Sequence, residues 1–247
     1  MPFRNIFADM NCISFKLLLR FNSATSYTRK PLPAILRLYC FMRKIFSILA
    51  KILYKKKYYL LHKQLVMEYS KIDNTDELAN NILSRVLISA EDHRFKYHFG
   101  FDIYAIVRAT KNRFFSNKME GASTIEQQLV RVLINEYDKS LKRKIQEIFL
   151  STTLVDSVPR KQLPAVYLNI AYYGTELQGL KLVMKKFNIK NFSDICLETA
   201  AEIVSRIKYP EPKKMNNGRN SQIERRKLHS LHLHEKHTKR KILKIYE

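Results

Sequence analysis

Apolar residues recur at helical spacing through most of the centre of this 247-residue chain. In the clearest case Ile125, Leu129 and Val132 stand at positions i, i+4 and i+7, which share one face of an α-helix. The same periodicity marks residues 78–90, 103–110, 141–152, 163–170 and 197–207. Strand-like alternation is scarce, and the sequence has five glycines in all. The pattern therefore predicts a mainly α fold built around one sizeable core.

Positive charge is concentrated at the two ends of the chain. Residues 1–60 carry a net charge of +11 and residues 213–247 a net charge of +8, out of +23 in total. A nearly neutral centre between basic ends predicts a folded domain held near an anionic surface, either a membrane or a nucleic acid. Basic ends that serve only solubility are the alternative.

An apolar segment interrupted by cations covers residues 34–54. Arg37, Lys44 and Lys51 recur every seven residues within it, which places them on one stripe of a helix. The sequence has no run of 18 uncharged apolar residues, so a clean spanning helix is not predicted. The stripe indicates a helix that lies in the headgroup region with its cations toward anionic lipid. Packing against the chain's own domain and a short signal anchor are the alternatives.

A first polar segment centres on Glu91. If one helix continues past it, Glu91, Phe95 and His98 stand at i, i+4 and i+7 on a single face. Asp92 lies beside Glu91, and a carboxylate near a second acid and an apolar ring can have the raised proton affinity that a general base requires. A surface carboxylate paired with a neighbouring cation is the alternative that spacing alone leaves open.

A second polar segment combines a helix start with two glutamines. Ser123 as N-cap and Glu126 three residues later form the pattern of a capping box. The N–H groups at such a start favour anions such as phosphate, and Gln127 and Gln128 offer donors and acceptors for sugar hydroxyls. A well-capped helix without any ligand explains the same residues.

Two cations and a carboxylate form the third polar segment. Arg143 and Lys144 precede Glu147 by four and three residues, which is the spacing of ion pairs within a helix. The same group can bind a pyrophosphate, or hold a divalent cation against one. Spacing alone leaves these interpretations open.

The order and spacing of these segments resemble glycosyltransferase family 51, the peptidoglycan polymerases. The family's E-D-x-x-F-x-x-H-x-G reads EDHRFKYHFG at residues 91–100, and its second motif reads GASTIEQQL at residues 121–129. The R-K-x-x-E and Y-L-N motifs follow as RKIQE at 143–147 and YLN at 167–169. The resemblance covers residues 75–230, which leaves no room for a transpeptidase domain and points to the monofunctional form.

The resemblance implies a lysozyme-like α-helical glycosyltransferase domain with a small membrane-proximal jaw, expected within residues 99–120. It also implies a basic, membrane-associating region at 1–60, the glycosyltransferase domain at 61–230 and a basic tail at 231–247. The expected apolar contacts of the jaw are Phe99, Phe101, Phe114 and Phe115.

The implied reaction is the polymerisation of lipid II, with a glycan chain on undecaprenyl pyrophosphate as the donor. Glu91 is expected to take the proton of the acceptor's 4-hydroxyl as that oxygen attacks the donor's anomeric carbon with inversion. Glu147 is expected to manage the departing pyrophosphate, either through Mg²⁺ or Mn²⁺ or by orienting Arg143 and Lys144. The residues expected to bind substrate are Asp92, Phe95, His98, Ser123, Thr124, Gln127, Gln128, Arg131, Arg143, Lys144 and Asn169.

The implied partners are lipid II, the growing lipid-linked glycan and an anionic membrane surface, at the outer (periplasmic) face of the cytoplasmic membrane. No nucleic acid is expected, because aromatic residues do not interleave with the cations of the basic C-terminal stretch. Ala165 and the helix after Gly179, where Leu182, Val183 and Met184 replace the usual small residues, depart from the family pattern. They keep open a catalytically impaired, membrane-associated relative that binds lipid-linked glycan or cell-wall partners. A lysozyme-like hydrolase is a further alternative.

Overall fold

A computed structural model of the chain describes residues 34–116 and 121–240. The chain divides into two units, 1–42 and 43–247, and the described residues 34–42 of the first unit are helical. The α-helices of the described residues are α1 (Ala34–Leu53), α2 (Lys55–Ser70), α3 (Thr75–Asn80), α4 (Ile82–Glu91), α5 (Ile103–Ser116), α6 (Ile125–Ile134), α7 (Leu141–Ser151), α8 (Leu163–Ile170), α9 (Leu180–Lys186), α10 (Leu197–Lys208) and α11 (Asn217–Lys239). Short 3₁₀ turns lie at Phe95–Tyr97, Leu154–Asp156, Arg160–Gln162 and Phe192–Asp194.

The predicted mainly α architecture is confirmed. In the described residues, extended pairing is limited to two isolated bridges, Tyr172–Gln178 and Gly174–Glu211. The periodic segment 78–90 is divided between two helices, because Asn81 ends α3 and its side chain accepts the N–H of Leu83 at the start of α4 (2.9 Å). Across the described ranges, no helix has both the length and the apolar character needed to cross a bilayer.

The core centres on α8, which is apolar on nearly every side. Seven of its eight residues are buried, as expected for a helix surrounded by other helices. α8 packs against α2, α3, α4 and α6, and Leu83 of α4, Leu129 of α6 and Val166 of α8 are fully buried. Burial of each such side chain contributes about 1.5–3 kcal/mol. This core fixes α4 and α6, and with them the polar segments that end or begin there.

The chain leaves helical geometry immediately after Glu91. Asp92 has φ −153° and ψ 60°, and a 3₁₀ turn follows at Phe95–Tyr97. Phe95 and His98 are buried while Glu91 remains partly exposed, so the predicted single helical face through these residues is wrong. The physical reason is that the Asp92 carboxylate accepts hydrogen bonds from His98 and from the start of α6, which a continuing helix would prevent.

The second half of α1 packs against the domain that follows it. The Phe46 ring lies 5.1 Å from the Phe101 ring and 4.9 Å from the Phe149 ring, measured between centroids. Arg43 Nη1 and Lys51 Nζ each lie 3.3 Å from the Asp156 carboxylate. The exposed apolar side chains of this stretch are Ile45, Ile48, Ile52 and Leu53. For residues 43–53 the alternative of packing on the chain's own domain therefore holds for one face. Phe101 belongs to this packing, so it is not part of an exposed jaw surface.

The last helix, α11, continues through the predicted boundary at residue 230 as far as Lys239. It packs against α10 and α4, and Ile223, His234 and His237 are buried. The stretch 231–239 is therefore helical and partly buried, and the predicted division into 1–60, 61–230 and 231–247 otherwise stays a prediction. The consequence for the site is that α11 brings its basic residues against the end of α4.

Candidate active site

The start of α6 is fixed by a capping box one residue later than predicted. The Thr124 hydroxyl accepts the N–H of Gln127 (3.2 Å), and the Gln127 side-chain oxygen accepts the N–H of Thr124 (3.2 Å). The predicted box of Ser123 and Glu126 is thus wrong, because the Ser123 hydroxyl faces Lys144 Nζ at 2.9 Å instead. The displacement leaves Ser123 partly exposed beside the third polar segment, while Thr124 is buried.

Glu91 stands at the end of α4 with each of its carboxylate oxygens held by a donor. Arg226 Nη2 of α11 donates to Oε1 at 2.6 Å, and Gln128 Nε2 of α6 donates to Oε2 at 3.2 Å. The Glu91 side chain is 12% exposed. The carboxylate is therefore oriented by its neighbours and keeps a small exposed fraction.

A buried tyrosine determines which way the Gln128 amide points. Tyr167 Oη donates to Gln128 Oε1 at 2.6 Å, so the amide nitrogen is the atom that faces Glu91. Burial raises the pKa of Tyr167, and the nearby Glu91 charge raises it further. Tyr167 therefore keeps its proton at any working pH and donates a hydrogen bond to Gln128, and Gln128 in turn donates one to Glu91.

Behind this group lies a network of opposite charges in which Asp92, His98 and Glu126 are buried and Arg160 is partly exposed. His98 Nε2 lies 3.0 Å from Asp92 Oδ1, and Asp92 Oδ2 accepts the N–H of Ile125 at 3.1 Å. Arg160 donates from Nε to Glu126 Oε1 at 3.1 Å, and Arg160 Nη2 lies 3.5 Å from His98 Nδ1. Burial alone would lower the pKa of His98, but the Glu126 and Asp92 carboxylates more than offset it and raise the pKa. The network ties the segment after α4 to the start of α6.

Three cations surround the single carboxylate of Glu147. Arg131 Nε lies 2.8 Å from Oε1 and Lys144 Nζ 3.2 Å from Oε2, and Arg143 Nη1 contacts Oε1. The Glu147 side chain is 2% exposed, whereas Arg131 and Lys144 are 28% and 30% exposed. Burial lowers the pKa of Lys144, and the Glu147 charge opposes that effect. The cluster therefore presents cations outward and has an excess of positive charge.

Basic partners already compensate the charge of both acidic groups at the site. In the described residues, Asp92, His98 and Glu126 bring ligand-type atoms within 4.8 Å of one another, but the ring nitrogen of His98 already faces Asp92 and Arg160 already neutralises Glu126. Both Glu147 oxygens accept from cations, so a metal there would lie against three positive charges. Mg²⁺ also favours open oxygen ligands that leave room for water. The residues present fit a charge network better than a metal site.

The predicted site residues divide into an accessible and a buried set. The partly exposed ones are Glu91, Ser123, Gln128, Arg131, Arg143, Lys144 and Asn169. The buried ones are Asp92, Phe95, His98, Thr124, Gln127 and Glu147. Asn169 lines a separate cavity of about 370 Å³ together with Gln64 and Gln178, while the cavity at Glu91 has only about 30 Å³, room for roughly one water molecule.

Three residues in contact with the predicted site were not identified from the sequence. Arg226 lies 135 positions from Glu91 along the chain, and Arg160 lies 34 positions from Glu126. Tyr167 belongs to the Y-L-N motif, but nothing in that motif indicates its bond to Gln128. No local spacing signals such contacts, because each depends on how distant helices pack.

The fold and this geometry define a class: a helical domain with a positioned carboxylate beside an outward-facing cation cluster, suited to acid–base chemistry on an anionic substrate. The model of one family, Transglycosylase, matches residues 60–232 of the chain. The chain belongs to the transglycosylase family.

The chain is also similar in sequence to three named proteins of bacteria. A biosynthetic peptidoglycan transglycosylase of Thiobacillus denitrificans is 30% identical over 154 residues, which cover 62% of this chain and 65% of that protein. A monofunctional glycosyltransferase of Staphylococcus epidermidis is 27% identical over 180 residues, covering 68% and 67%. A penicillin-binding protein 1A of Rickettsia typhi is 32% identical over 138 residues, covering 53% and 18%. The matched region thus spans about two thirds of the first two relatives and less than a fifth of the third.

Proposed function

We propose that this protein is a peptidoglycan glycosyltransferase that polymerises lipid II into glycan strands. The observation that carries the proposal is the Glu91 carboxylate, which is partly exposed and held by donors on both oxygens, in a chain of the transglycosylase family. Glu91 removes the proton of the acceptor's 4-hydroxyl while that oxygen bonds to the donor's anomeric carbon. The bond from that carbon to undecaprenyl pyrophosphate breaks, and the configuration inverts.

The cation cluster is the proposed site of the leaving pyrophosphate. Arg131, Arg143 and Lys144 offer donors where negative charge accumulates as the anomeric bond breaks. Of the two roles left open for Glu147, its contacts support orienting these cations, since both of its oxygens are already engaged. Mg²⁺ or Mn²⁺, if the reaction uses either, would then arrive with the pyrophosphate rather than reside on Glu147.

The remaining predicted residues fall into two proposed roles. Ser123, Gln128 and Asn169 are partly exposed and carry hydroxyl or amide groups suited to sugar hydroxyls. The buried residues act through others: Asp92 and His98 hold the start of α6, and Gln127 completes its cap. Phe95 lies under Arg160, with the guanidinium carbon 4.3 Å from the ring centroid.

We also propose that the protein works on an anionic membrane surface, at the outer face of the cytoplasmic membrane. Support comes from α5, where Val107, Phe114 and Phe115 are largely exposed and line a shallow groove of about 620 Å³. An apolar helix face rimmed by cations suits the interface between headgroups and acyl chains. A topology reporter fused after residue 60 tests the side: a cytoplasmic readout would contradict it.

Polymerisation of purified lipid II by the full chain tests the enzymatic proposal. We expect glycan strands from the wild type and a loss of about 100-fold or more in Glu91→Gln, because a general base contributes about that much. Glu147→Gln should weaken use of the pyrophosphate donor, and added chelator distinguishes any metal requirement from the orienting role.

The alternatives give different outcomes in the same experiment. Lipid II binding without polymer in both wild type and Glu91→Gln would support a non-catalytic relative that binds lipid-linked glycan. Digestion of finished cell-wall glycan without synthesis would support a hydrolase.

A further inference from the structure

The last helix brings a guanidinium onto the carboxylate that the proposed reaction uses as its base. Arg226 Nη2 lies 2.6 Å from Glu91 Oε1 and 3.0 Å from the carbonyl oxygen of Ala90. The Arg226 and Glu91 side chains are 14% and 12% exposed, so water screens the pair far less than it screens a surface ion pair. Within the described residues, Glu91 is the carboxylate with which Arg226 pairs.

Both contacts fall where α4 ends, and an ending helix needs such partners. The carbonyl groups of the last turn have no N–H partner within their own helix. A glutamate side chain at that position also has several rotamers available. One nitrogen of Arg226 satisfies the Ala90 carbonyl and binds Glu91 Oε1 at once. It therefore fixes the end of the helix and the direction of the carboxylate together.

The residues around Arg226 favour its pairing with Glu91. The outer side of Arg226 lines a cavity of about 350 Å³ whose other lining residues include Lys208, Arg225 and His229. None of the residues that line this cavity carries a carboxylate, and the cations Lys208 and Arg225 repel the guanidinium. Glu91 is therefore the favourable partner for Arg226, and no acid that lines this cavity competes with Glu91 for the guanidinium.

We propose that Arg226 is a positioning residue of this active site, which holds Oε1 of Glu91 so that the carboxylate faces the acceptor's hydroxyl. The inference rests on the proposed function, because it assigns a role in the same reaction. Gln128 holds Oε2, so the two donors together define the plane of the carboxylate. Arg226 carries its charge at every working pH, which makes it a permanent support for the base.

Kinetics of lipid II polymerisation by the full chain test this role. We expect Arg226→Gln to lower kcat by about 10-fold to 100-fold with KM changed by less than about twofold, because a misplacement of about 1 Å can cost about 100-fold. Arg226→Lys should recover part of the loss, since one ammonium nitrogen can reach both acceptors. The matched control is Arg225→Gln, because the Arg225 side chain is exposed and donates to the Ser221 carbonyl of its own helix (3.3 Å). This variant should stay within about twofold of wild type.

The outcomes separate this proposal from the proposed function. An unchanged or higher kcat in Arg226→Gln, a loss expressed in KM alone, or equal losses in the Gln and Lys variants would overturn the positioning role. In a Glu91→Gln background, Arg226→Gln should have no further effect on kcat.

Melting temperatures of the two single variants and the double variant give a readout without substrate: non-additive losses support the pairing, and additive losses overturn it. A wild type that fails to polymerise lipid II while the losses are non-additive would refute the proposed function and leave the pairing in place.

Discussion

The partners of a buried histidine decide in which direction its pKa shifts in this protein. His98 lies against two carboxylates, and their charges raise its pKa even though burial acts against them. His62 has hydroxyl partners instead: its ring nitrogens lie 2.5 Å from Ser157 Oγ and 3.0 Å from Thr153 Oγ1. Burial lowers the pKa of His62 to about 4. Relative to an ordinary histidine, His98 of the site network therefore binds its proton more tightly, and His62 of α2 binds its proton less tightly.

We predict that His62 makes the protein less stable in mild acid. Its folded pKa of about 4 lies below the ordinary value of 6.5, so the unfolded chain binds the proton more readily. Its contribution to stability is complete above pH 6.5 and is lost as the pH falls toward 4, by about 3 kcal/mol in total. Because the pKa of His98 is raised, its contribution to stability is fully present below pH 6.5. It therefore does not change over the pH range in which His62 loses its contribution.

Urea unfolding of His62→Gln at several pH values between 7 and 4 measures the effect. The variant should lose less stability across that range than the wild type, whatever its stability at pH 7. His232→Gln, at an exposed position on α11, is the control and should follow the wild-type curve. Parallel curves for wild type and His62→Gln would show that the buried histidine is not responsible.

At the scale of elements, the approach of the loop after α4 to the end of α7 requires a glycine. Gly100 has φ +104°, and a Cβ built there would lie 2.7 Å from backbone atoms of Ser151 and Thr152. The Gly100 carbonyl also accepts the Thr124 hydroxyl that caps α6 (2.6 Å). Gly100 is the last residue of the EDHRFKYHFG motif, and in the structure it permits close packing between three segments. The placement of the α6 start therefore depends on this contact.

Replacing Gly100 with alanine should be costly, whereas the same change at Gly121 should not be. At Gly100 the new methyl group meets rigid backbone at a positive φ, and we expect a loss of about 3 kcal/mol in the free energy of unfolding. At Gly121 a built Cβ meets nothing within 4 Å, and the change should stay within about 0.5 kcal/mol. Denaturant unfolding of both variants measures the difference, and equal losses would contradict the close-packing explanation.

At the scale of the whole molecule, charge and exposed apolar surface together favour a membrane surface as the place of work. The chain carries a net charge of +23, and the described residues include large exposed apolar side chains on α5 and on residues 43–53 of α1. Long-range attraction to anionic lipid acts first, and apolar insertion then holds the protein. The first contribution weakens with salt, while the second does not.

Binding to vesicles should reveal these two contributions. We expect the protein to sediment with vesicles of anionic phospholipid more strongly than with neutral ones, and less strongly as salt rises. Phe114→Ser with Phe115→Ser should reduce binding about 10-fold or more at high salt, since each phenylalanine removed deprives the membrane of a large apolar side chain. Leu228→Ser, at an exposed apolar position on α11, is the control. Equal binding of the two variants would exclude α5 as the docking surface.

Periodicity along the sequence determined the helices, because apolar spacing depends only on neighbours within a few turns. It gave the mainly α class and the helices that contain Ile125 and Val166, and the family motifs led to Glu91 and Glu147 as candidates. Periodicity did not predict the details that depend on a hydrogen bond between residues of different segments. Asp92 ends α4 because its carboxylate accepts the N–H of Ile125 in α6. Ser123 does not cap α6, because its hydroxyl accepts a hydrogen bond from Lys144.

The tertiary structure alone decided what surrounds each candidate. Arg226 reaches Glu91 across 135 positions because α11 packs beside α4, and Glu147 is engaged by Arg131 of another helix as well as by its own neighbours. Such contacts carry no signal in local spacing, since their partners are set by the crossing of helices around the α8 core. The sequence therefore determined which groups can perform the chemistry, and packing determined how each is oriented and charged.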